Sequence, residues 1–118
     1  MQTTVKFVPQ ALVVAGVLAL CLSAQATAGE VDAAAAQALA KKNNCFRCHG
    51  IDKDKDGPAW KKIGAKFKGL PDAEAKLTYH LTSGEKAKFP DGHEEEHLII
   101  KSDDPSEIKN LVDWILSL

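Results

Sequence analysis

Cys45-Phe46-Arg47-Cys48-His49 is the stretch that decides how this 118-residue chain folds. It is a C-x-x-C-H pattern, which is typical of covalent attachment of a c-type haem. Two thiols at this spacing can each form a thioether with one vinyl group of a porphyrin, and the imidazole that follows then lies under the iron. The pattern therefore predicts one haem c, bound covalently through Cys45 and Cys48, with His49 as a ligand of the iron.

Zinc sites and redox dithiols also use a C-x-x-C pair, so the pair alone would be ambiguous. The histidine directly after it narrows the choice, because a zinc domain would need further pairs of Cys or His ligands. The third cysteine, Cys21, belongs to a segment that we expect to be removed. Haem attachment is therefore the prediction, and no zinc is expected.

Residues 1–28 have the organisation of a secretory signal peptide. Lys6 supplies the positive charge, residues 11–24 are largely apolar, and Ala26-Thr27-Ala28 fits an A-x-A cleavage site. The overlapping Ala24-Gln25-Ala26 is a second option, so cleavage after either site stays open. The apolar segment is shorter than the roughly 20 residues of a membrane-spanning helix. We therefore expect export to the periplasm and a single mature domain, residues 29–118.

The charge balance argues against a nucleic-acid partner. The chain has 15 Lys and Arg against 16 Asp and Glu, which gives a formal net charge of −1, and nucleic-acid-binding domains are usually basic. So small a domain has a marginal apolar core, to which a buried porphyrin would add much of the missing apolar surface. We expect a monomer.

The spacing of apolar residues predicts an all-α domain of about four helices, with no convincing strand. The predicted helices cover residues 33–43, 58–67 and 71–82, and a last one starts at Pro105. Its start is the clearest, because Asp104 is a good capping residue and proline suits the first helical position. Residues 86–103 are predicted to form a long irregular loop, which is unusual in a small domain unless it covers something.

Several stretches together resemble a small bacterial class I cytochrome c: residues 39–50, Gly57-Pro58-Ala59 and residues 108–116. The resemblance implies the small cytochrome c fold, in which the first and last helices cross with Trp114 at their contact, and we expect Leu39 as its neighbour. It implies that the Pro58 carbonyl accepts a hydrogen bond from Nδ1 of His49. It also implies a one-electron carrier between redox protein partners, and not an enzyme.

The chain departs from this resemblance at the second iron ligand. The family normally supplies a methionine sulfur from the loop before the last helix, whereas the only methionine here is Met1. That loop contains His93 and His97 instead, and haem iron commonly binds histidine. His97 has nearly the family's spacing to the last helix and opens the apolar run Leu98-Ile99-Ile100, whereas His93 fits a turn.

We therefore predict His97 as the second metal ligand, with His93 as the alternative and the mid-helix His80 as a third candidate. Two imidazoles would give a low reduction potential, because Met/His ligation raises the potential of haem iron. If neither His93 nor His97 binds, the iron is five-coordinate and open to small molecules. The alternative function is then a haem-based gas-binding or sensor protein.

Two further patterns are weaker. His93-Glu94-Glu95-Glu96-His97 fits the H-E-x-x-H pattern of zinc proteases, but it lacks a third ligand and a second lobe to form a substrate cleft. Residues 52–57 begin like a calcium-binding loop, but Ile63 stands where the last, bidentate glutamate would be required. We expect neither zinc nor calcium, and we interpret residues 52–57 as a solvated turn.

Overall fold

The computed structural model describes residues 29–118, and the predicted signal peptide with both cleavage options lies outside this range. Within residues 29–118 there are four α-helices: α1 (Ala33–Lys42), α2 (Trp60–Phe67), α3 (Ala73–Ser83) and α4 (Pro105–Ser117). A 3₁₀ turn, Cys45–Arg47, follows α1, and a short antiparallel hairpin of β1 (Lys86–Lys88) and β2 (Glu94–Glu96) precedes α4. The predicted all-α class with about four helices is confirmed.

The core forms where α1 packs on α4, with α2 and α3 also packed against α4. Asp32 caps α1 by accepting a hydrogen bond from the Ala35 amide, and Asp104 caps α4 by accepting one from the Ser106 amide. The buried face of α1 lies in one apolar cluster with that of α4, which supplies Leu111, Val112, Trp114 and Ile115. The segments on both sides of the candidate site described below pack against this cluster.

Trp114 is 4 % exposed and belongs to the same cluster as Leu39. Its indole ring packs edge-on against that of Trp60, with the ring centres 5.1 Å apart. Trp60 is the first residue of α2, so α4 fixes the helix that follows the C-x-x-C-H motif.

The hairpin is the main difference from the predicted secondary structure, which had an irregular loop over residues 86–103. Lys86 lies opposite Glu96 and Lys88 lies opposite Glu94, and such cross-strand pairs of opposite charge favour pairing. Both strands are only three residues long and largely exposed, and Ala87 is their one apolar residue, so they are too short to show the repeated alternation that reveals a half-buried strand.

Two helices begin later than predicted. α2 starts at Trp60 and not at Pro58, since the Pro58 and Ala59 backbone is held by side chains of the preceding loop. α3 starts at Ala73 and not at Pro71, after a turn in which the Ala73 amide donates to the Leu70 carbonyl. Within residues 29–118, no helix is both long and apolar enough to cross a bilayer.

Candidate functional site

The 3₁₀ turn places both cysteines of the motif beside His49. Asn44 adopts a left-handed conformation, with φ 59° and ψ 21°, which ends α1 and starts the turn. The backbone amides of Cys48 and His49 both donate to the Cys45 carbonyl, at 3.2 and 3.0 Å. Cys45 and Cys48 are half-buried free thiols, and burial raises the pKa of Cys45. The turn therefore presents two thiols and one imidazole from five consecutive residues.

His49 is held in one orientation by a backbone carbonyl. Its Nδ1 lies 2.7 Å from the carbonyl oxygen of Pro58. A carbonyl can only accept, so Nδ1 carries the proton and Nε2 keeps its lone pair. Burial lowers the pKa of His49, the nearby His80 lowers it further, and the Pro58 carbonyl opposes both. His49 is therefore a neutral imidazole with one nitrogen free to bind a metal.

The ring of His49 has little room to turn. A Cβ atom at Gly57 would lie 2.7 Å from its Cε1 atom, which is closer than nonbonded carbon atoms approach. The Trp60 ring lies nearly parallel to it, with ring centres 5.9 Å apart and an interplanar angle of 15°. Gly57 and Trp60 thus confine the side chain that the Pro58 carbonyl orients.

The loop between His49 and α2 is tied down by its charged side chains. Oδ1 of Asp54 accepts a hydrogen bond of 2.8 Å from the Ala59 amide, and its Oδ2 binds the ammonium group of Lys62. The Lys55 ammonium donates to the Phe46 carbonyl at 2.6 Å. The sequence suggested only a solvated turn here. No local signal indicated this contact, because Asp54 lies five positions before Ala59 and is not the N-cap residue of α2.

The segment that follows β2 forms the opposite side of the site. The His97 amide donates to the Glu85 carbonyl at 3.0 Å, and the Ile100 amide donates to the Leu81 carbonyl at 2.8 Å. The buried Asn43 accepts a hydrogen bond of 2.8 Å from the Lys101 amide through its side chain. Residues 97–101 are therefore fixed both to α3 and to the end of α1, next to the 3₁₀ turn.

His97 faces His49 across the site. Their ring centres are 6.0 Å apart. Burial is the main reason that the pKa of His97 falls to about 4, and the neighbouring His80 and His49 add to the effect. Its Nδ1 atom is buried without a hydrogen-bond partner. His97 is therefore neutral at pH 7 and has a ring nitrogen that no protein group satisfies.

His80 completes a cluster of three histidines. Its ring centre is 4.0 Å from that of His97, and its Nδ1 is hydrogen-bonded to the Glu85 carboxylate. The sequence favoured packing or exposure for His80, and the structure places it beside His97. Its spacing of three residues from the buried Leu77 was the one signal for an inward direction.

His93 lies outside this cluster, near the turn of the hairpin. It is exposed, with Nδ1 on the Asp91 carboxylate and Nε2 3.3 Å from the Glu95 carboxylate. The ring of Phe89 stacks on it, with centres 4.4 Å apart. Hydrogen bonding to Asp91 is the main reason that the pKa of His93 is raised. Both ring nitrogens of His93 are therefore occupied by carboxylates of its own hairpin.

These residues fit an iron porphyrin. Two imidazoles on opposite sides of one ion have ring centres about 6 Å apart, because each metal–nitrogen bond is about 2 Å long and each ring centre lies about 1 Å beyond its nitrogen. His49 and His97 have this separation, both are neutral as metal binding requires, and the two free thiols lie beside His49. Leu98 and Ile99, directly after His97, are 46 % and 41 % exposed, so they offer apolar surface that a porphyrin ring could cover.

Comparison with known proteins gives a consistent answer. The family model for cytochrome c matches residues 33–118. Cytochrome c-551 of Pseudomonas aeruginosa is 35% identical over 81 residues, which cover 69% of this chain and 74% of that protein. Cytochrome c-552 of Nitrosomonas europaea is 34% identical over 80 residues, which cover 68% and 75%.

Solved structures agree with these relatives. The crystal structure of the class 1 cytochrome MtoD from Sideroxydans lithotrophicus ES-1 is similar, with a TM-score of 0.72 and 66% sequence identity. The match covers 75% of this chain and 97% of that one. The structure of Nitrosomonas europaea cytochrome c552 matches with a TM-score of 0.56 and 33% identity, over 70% and 98% of the two chains.

Proposed function

The chain belongs to the cytochrome c family, and we propose that it is a periplasmic one-electron carrier whose haem iron is bound by His49 and His97. Membership of the family brings one covalently attached haem c with its iron. When bound, the haem supplies the redox chemistry, and the protein sets its potential through ligands, burial and charge. No proton or bond chemistry by the protein is required for this role.

Cys45 and Cys48 are proposed to carry one thioether each. Both are half-buried free thiols next to the neutral His49, as attachment to a single haem requires. Mass spectrometry of the mature protein should give the chain mass plus one haem, and the haem should survive denaturation. Loss of the haem in acid–acetone extraction would contradict covalent attachment.

The observation that carries the proposed iron coordination is the pair His49 and His97, with ring centres 6.0 Å apart. Each imidazole is kept neutral by burial, so each offers a lone pair at pH 7. With two nitrogen donors and no thioether sulfur, ferrous iron loses the stabilisation that Met ligation gives. We expect a reduction potential below that of cytochromes with a Met ligand.

Visible absorption and a potentiometric titration test this function directly. A six-coordinate carrier should show sharp low-spin ferrous bands, a spectrum unchanged by carbon monoxide, and one reversible one-electron step. A high-spin spectrum that shifts with carbon monoxide would instead support the gas-binding or sensor function. The two outcomes differ in spin state before any ligand is added, so one spectrum separates them.

Export is proposed from the sequence of residues 1–28, and the partners are proposed to be redox proteins of the same compartment. The test is the intact mass of protein recovered from the periplasmic fraction. Cleavage after Ala28 leaves Gly29 as the first residue, and cleavage after Ala26 leaves Thr27, so the two masses differ by two residues. Retention of the full leader on membrane-bound protein would contradict export as a mature soluble domain.

A further inference from the structure

One peptide group connects His49 to a carboxylate that does not touch it. The Pro58 carbonyl accepts from Nδ1 of His49 at 2.7 Å. The amide of the same peptide bond, that of Ala59, donates to Oδ1 of Asp54 at 2.8 Å. A peptide is a planar, conjugated unit, so a hydrogen bond at its N–H end polarises its C=O end. Asp54 and His49 therefore act on opposite ends of one dipole.

The geometry points to Asp54 as a positioning residue for the iron ligand His49, acting through the Pro58–Ala59 peptide to strengthen the hydrogen bond on Nδ1. A carboxylate is a stronger acceptor than a neutral group, so it draws the amide proton and increases the negative charge on the Pro58 oxygen. That oxygen then pulls harder on the Nδ1 proton. When the N–H of a metal-bound imidazole donates a hydrogen bond, the acceptor makes the other ring nitrogen a stronger donor to the metal. This inference rests on the proposed binding of iron by His49.

The surrounding loop holds this arrangement in place. His49 and Asp54 pair as an isolated antiparallel bridge, which fixes the Asp54 backbone next to the histidine. The Gly57 amide donates to the Cys48 carbonyl at 2.8 Å, so the loop closes back onto the motif. The peptide plane is thus fixed from both ends, and Asp54 is placed to hold its orientation as well as its polarity.

Lys62 opposes the effect of Asp54. Its ammonium group binds Oδ2, the carboxylate oxygen that Ala59 does not use. A cation on this oxygen draws electron density from the carboxylate and weakens its pull on the Ala59 amide. Both side chains are about half exposed, with relative exposures of 49% for Asp54 and 66% for Lys62. Neither side chain therefore belongs to the buried core.

The same loop offers a matched control. Asp52 binds Lys61 in an ion pair of the same kind, between the same loop and the same helix. Within residues 29–118, no backbone amide donates to the Asp52 carboxylate. An Asp52→Asn substitution removes one negative charge and breaks one pair with α2, but leaves the Pro58–Ala59 peptide untouched. It measures what charge alone does at this position.

The experiment compares Asp54→Asn, Asp54→Ala and Asp52→Asn in the haem-loaded protein. The first readout is the proton resonance of His49 Nδ1–H in the diamagnetic ferrous form, and the second is the reduction potential. The resonance should move upfield in both Asp54 variants, more in Asp54→Ala, and stay in place in Asp52→Asn. The potential should rise more in Asp54→Ala than in Asp52→Asn, because a weaker imidazole donor stabilises ferric iron less.

Two further variants test the opposite sign without removing the carboxylate. Lys62→Gln frees Oδ2, so the His49 Nδ1–H resonance should move downfield. Lys61→Gln removes an equal charge from the same helix and should leave the resonance unchanged. Because Lys62→Gln keeps Asp54 in place, it remains informative even if Asp54→Ala unfolds the loop.

The inference would be overturned by equal potential shifts in Asp54→Ala and Asp52→Asn with an unmoved Nδ1–H resonance, since Asp54 would then act as a distant charge only. Failure of the proposed function looks different. A high-spin or haem-free spectrum of the unsubstituted protein would remove the iron ligand itself, whereas the inference is read from differences between variants of a low-spin protein.

Discussion

The two sides of the haem site are built at very different distances along the chain. On the side of His49, this proposed ligand and its carbonyl acceptor are 9 positions apart, and Asp54 and Ala59 are 5 apart. On the side of His97, three hydrogen bonds fix the segment: His97 to Glu85, 12 positions away, Ile100 to Leu81, 19 positions away, and Lys101 to Asn43, 58 positions away. The first side is thus specified by a local motif, whereas the second exists only after α1, α3 and α4 have packed.

Loss of the packing between α4 and α2, on which both sides of the site depend, should disrupt both sides at once. Trp114 is 4 % exposed and its ring packs on Trp60, the first residue of α2. Trp114→Ala should lower the free energy of unfolding by about 3–5 kcal/mol, as expected for a buried Trp reduced to Ala. Small domains have only about 5–15 kcal/mol in total. Denaturant titration followed by far-UV circular dichroism measures this change.

Tyr79→Ala is the control for Trp114→Ala. Tyr79 is 61% exposed on α3, so its removal should change the unfolding midpoint little. If Trp114→Ala and Tyr79→Ala shift the midpoint equally, the contact between α4 and α2 does not support the site.

The His97 side of the site can be disrupted alone by removing the proposed ligand. His97→Ala should convert the ferric protein from low-spin to high-spin and open the iron to added imidazole or cyanide. His93→Ala is the matched variant from the same hairpin region, and it should stay low-spin because both ring nitrogens of His93 are on carboxylates. Ferric absorption and electron paramagnetic resonance report the spin state.

The reverse outcome would transfer the ligand role to His93. If both variants remain low-spin, His80 becomes the next residue to test, because its ring centre is 4.0 Å from that of His97. The two variants therefore decide between His97 and His93, and a His80→Ala variant extends the test to the third histidine.

The His49 side of the site can be strained by a substitution at a neighbouring residue, without replacing His49 itself. A Cβ atom at Gly57 would lie 2.7 Å from Cε1 of His49, so Gly57→Ala must displace the imidazole. We expect a loss of about 1–3 kcal/mol in the free energy of unfolding, which is typical of overpacking. The His49 Nδ1–H resonance should also move upfield as its bond to Pro58 lengthens. Gly29→Ala, where a Cβ would have no neighbour within 4 Å, should change neither.

The same contrast between local and long-range contacts explains which parts of the fold and of the site could be predicted from the sequence. The C-x-x-C-H motif predicted the haem because its chemistry depends on spacing along the chain. The helices followed from apolar periodicity, and Asp104 with Pro105 marked the start of α4 correctly. The cytochrome c family and its fold are confirmed by the comparisons.

The features that the sequence did not predict depend on contacts between residues far apart in the chain, or on strands made mostly of charged residues. The hairpin was missed because its strands are only three residues long and five of their six residues are charged, which leaves Ala87 as the one apolar position. The closeness of His80 to His97 follows from how α3 packs against residues 97–101, which no local pattern encodes. The role of Asp54 depends on the path of a loop that the sequence only marked as polar. The choice of His97 as a ligand stays a prediction until the variants are measured.

The smallest expected effect is a pH dependence of stability that comes from His93 and not from His97, because the pKa values of the two histidines are shifted in opposite directions. The pKa of His97 is lowered to about 4 by burial, whereas the pKa of His93 is raised above its ordinary 6.5 by the Asp91 carboxylate. His93 should therefore stabilise the hairpin fully below pH 6.5, and this contribution should be lost as the pH rises through the higher pKa of the folded state. The effect on global stability should be small, because His93 is exposed.

Proton resonances of the His93 ring, followed against pH, measure this directly. The midpoint should lie above 6.5 in the unsubstituted protein and return toward 6.5 in Asp91→Asn. His97 should show no titration between pH 5 and pH 8. A His93 midpoint below 6.5 would mean that this ring is buried and free of its carboxylates, and would make it a competitor for the iron. A midpoint above 6.5 instead means that the proton holds His93 to its own hairpin, which leaves the second iron position to the half-buried His97 or His80.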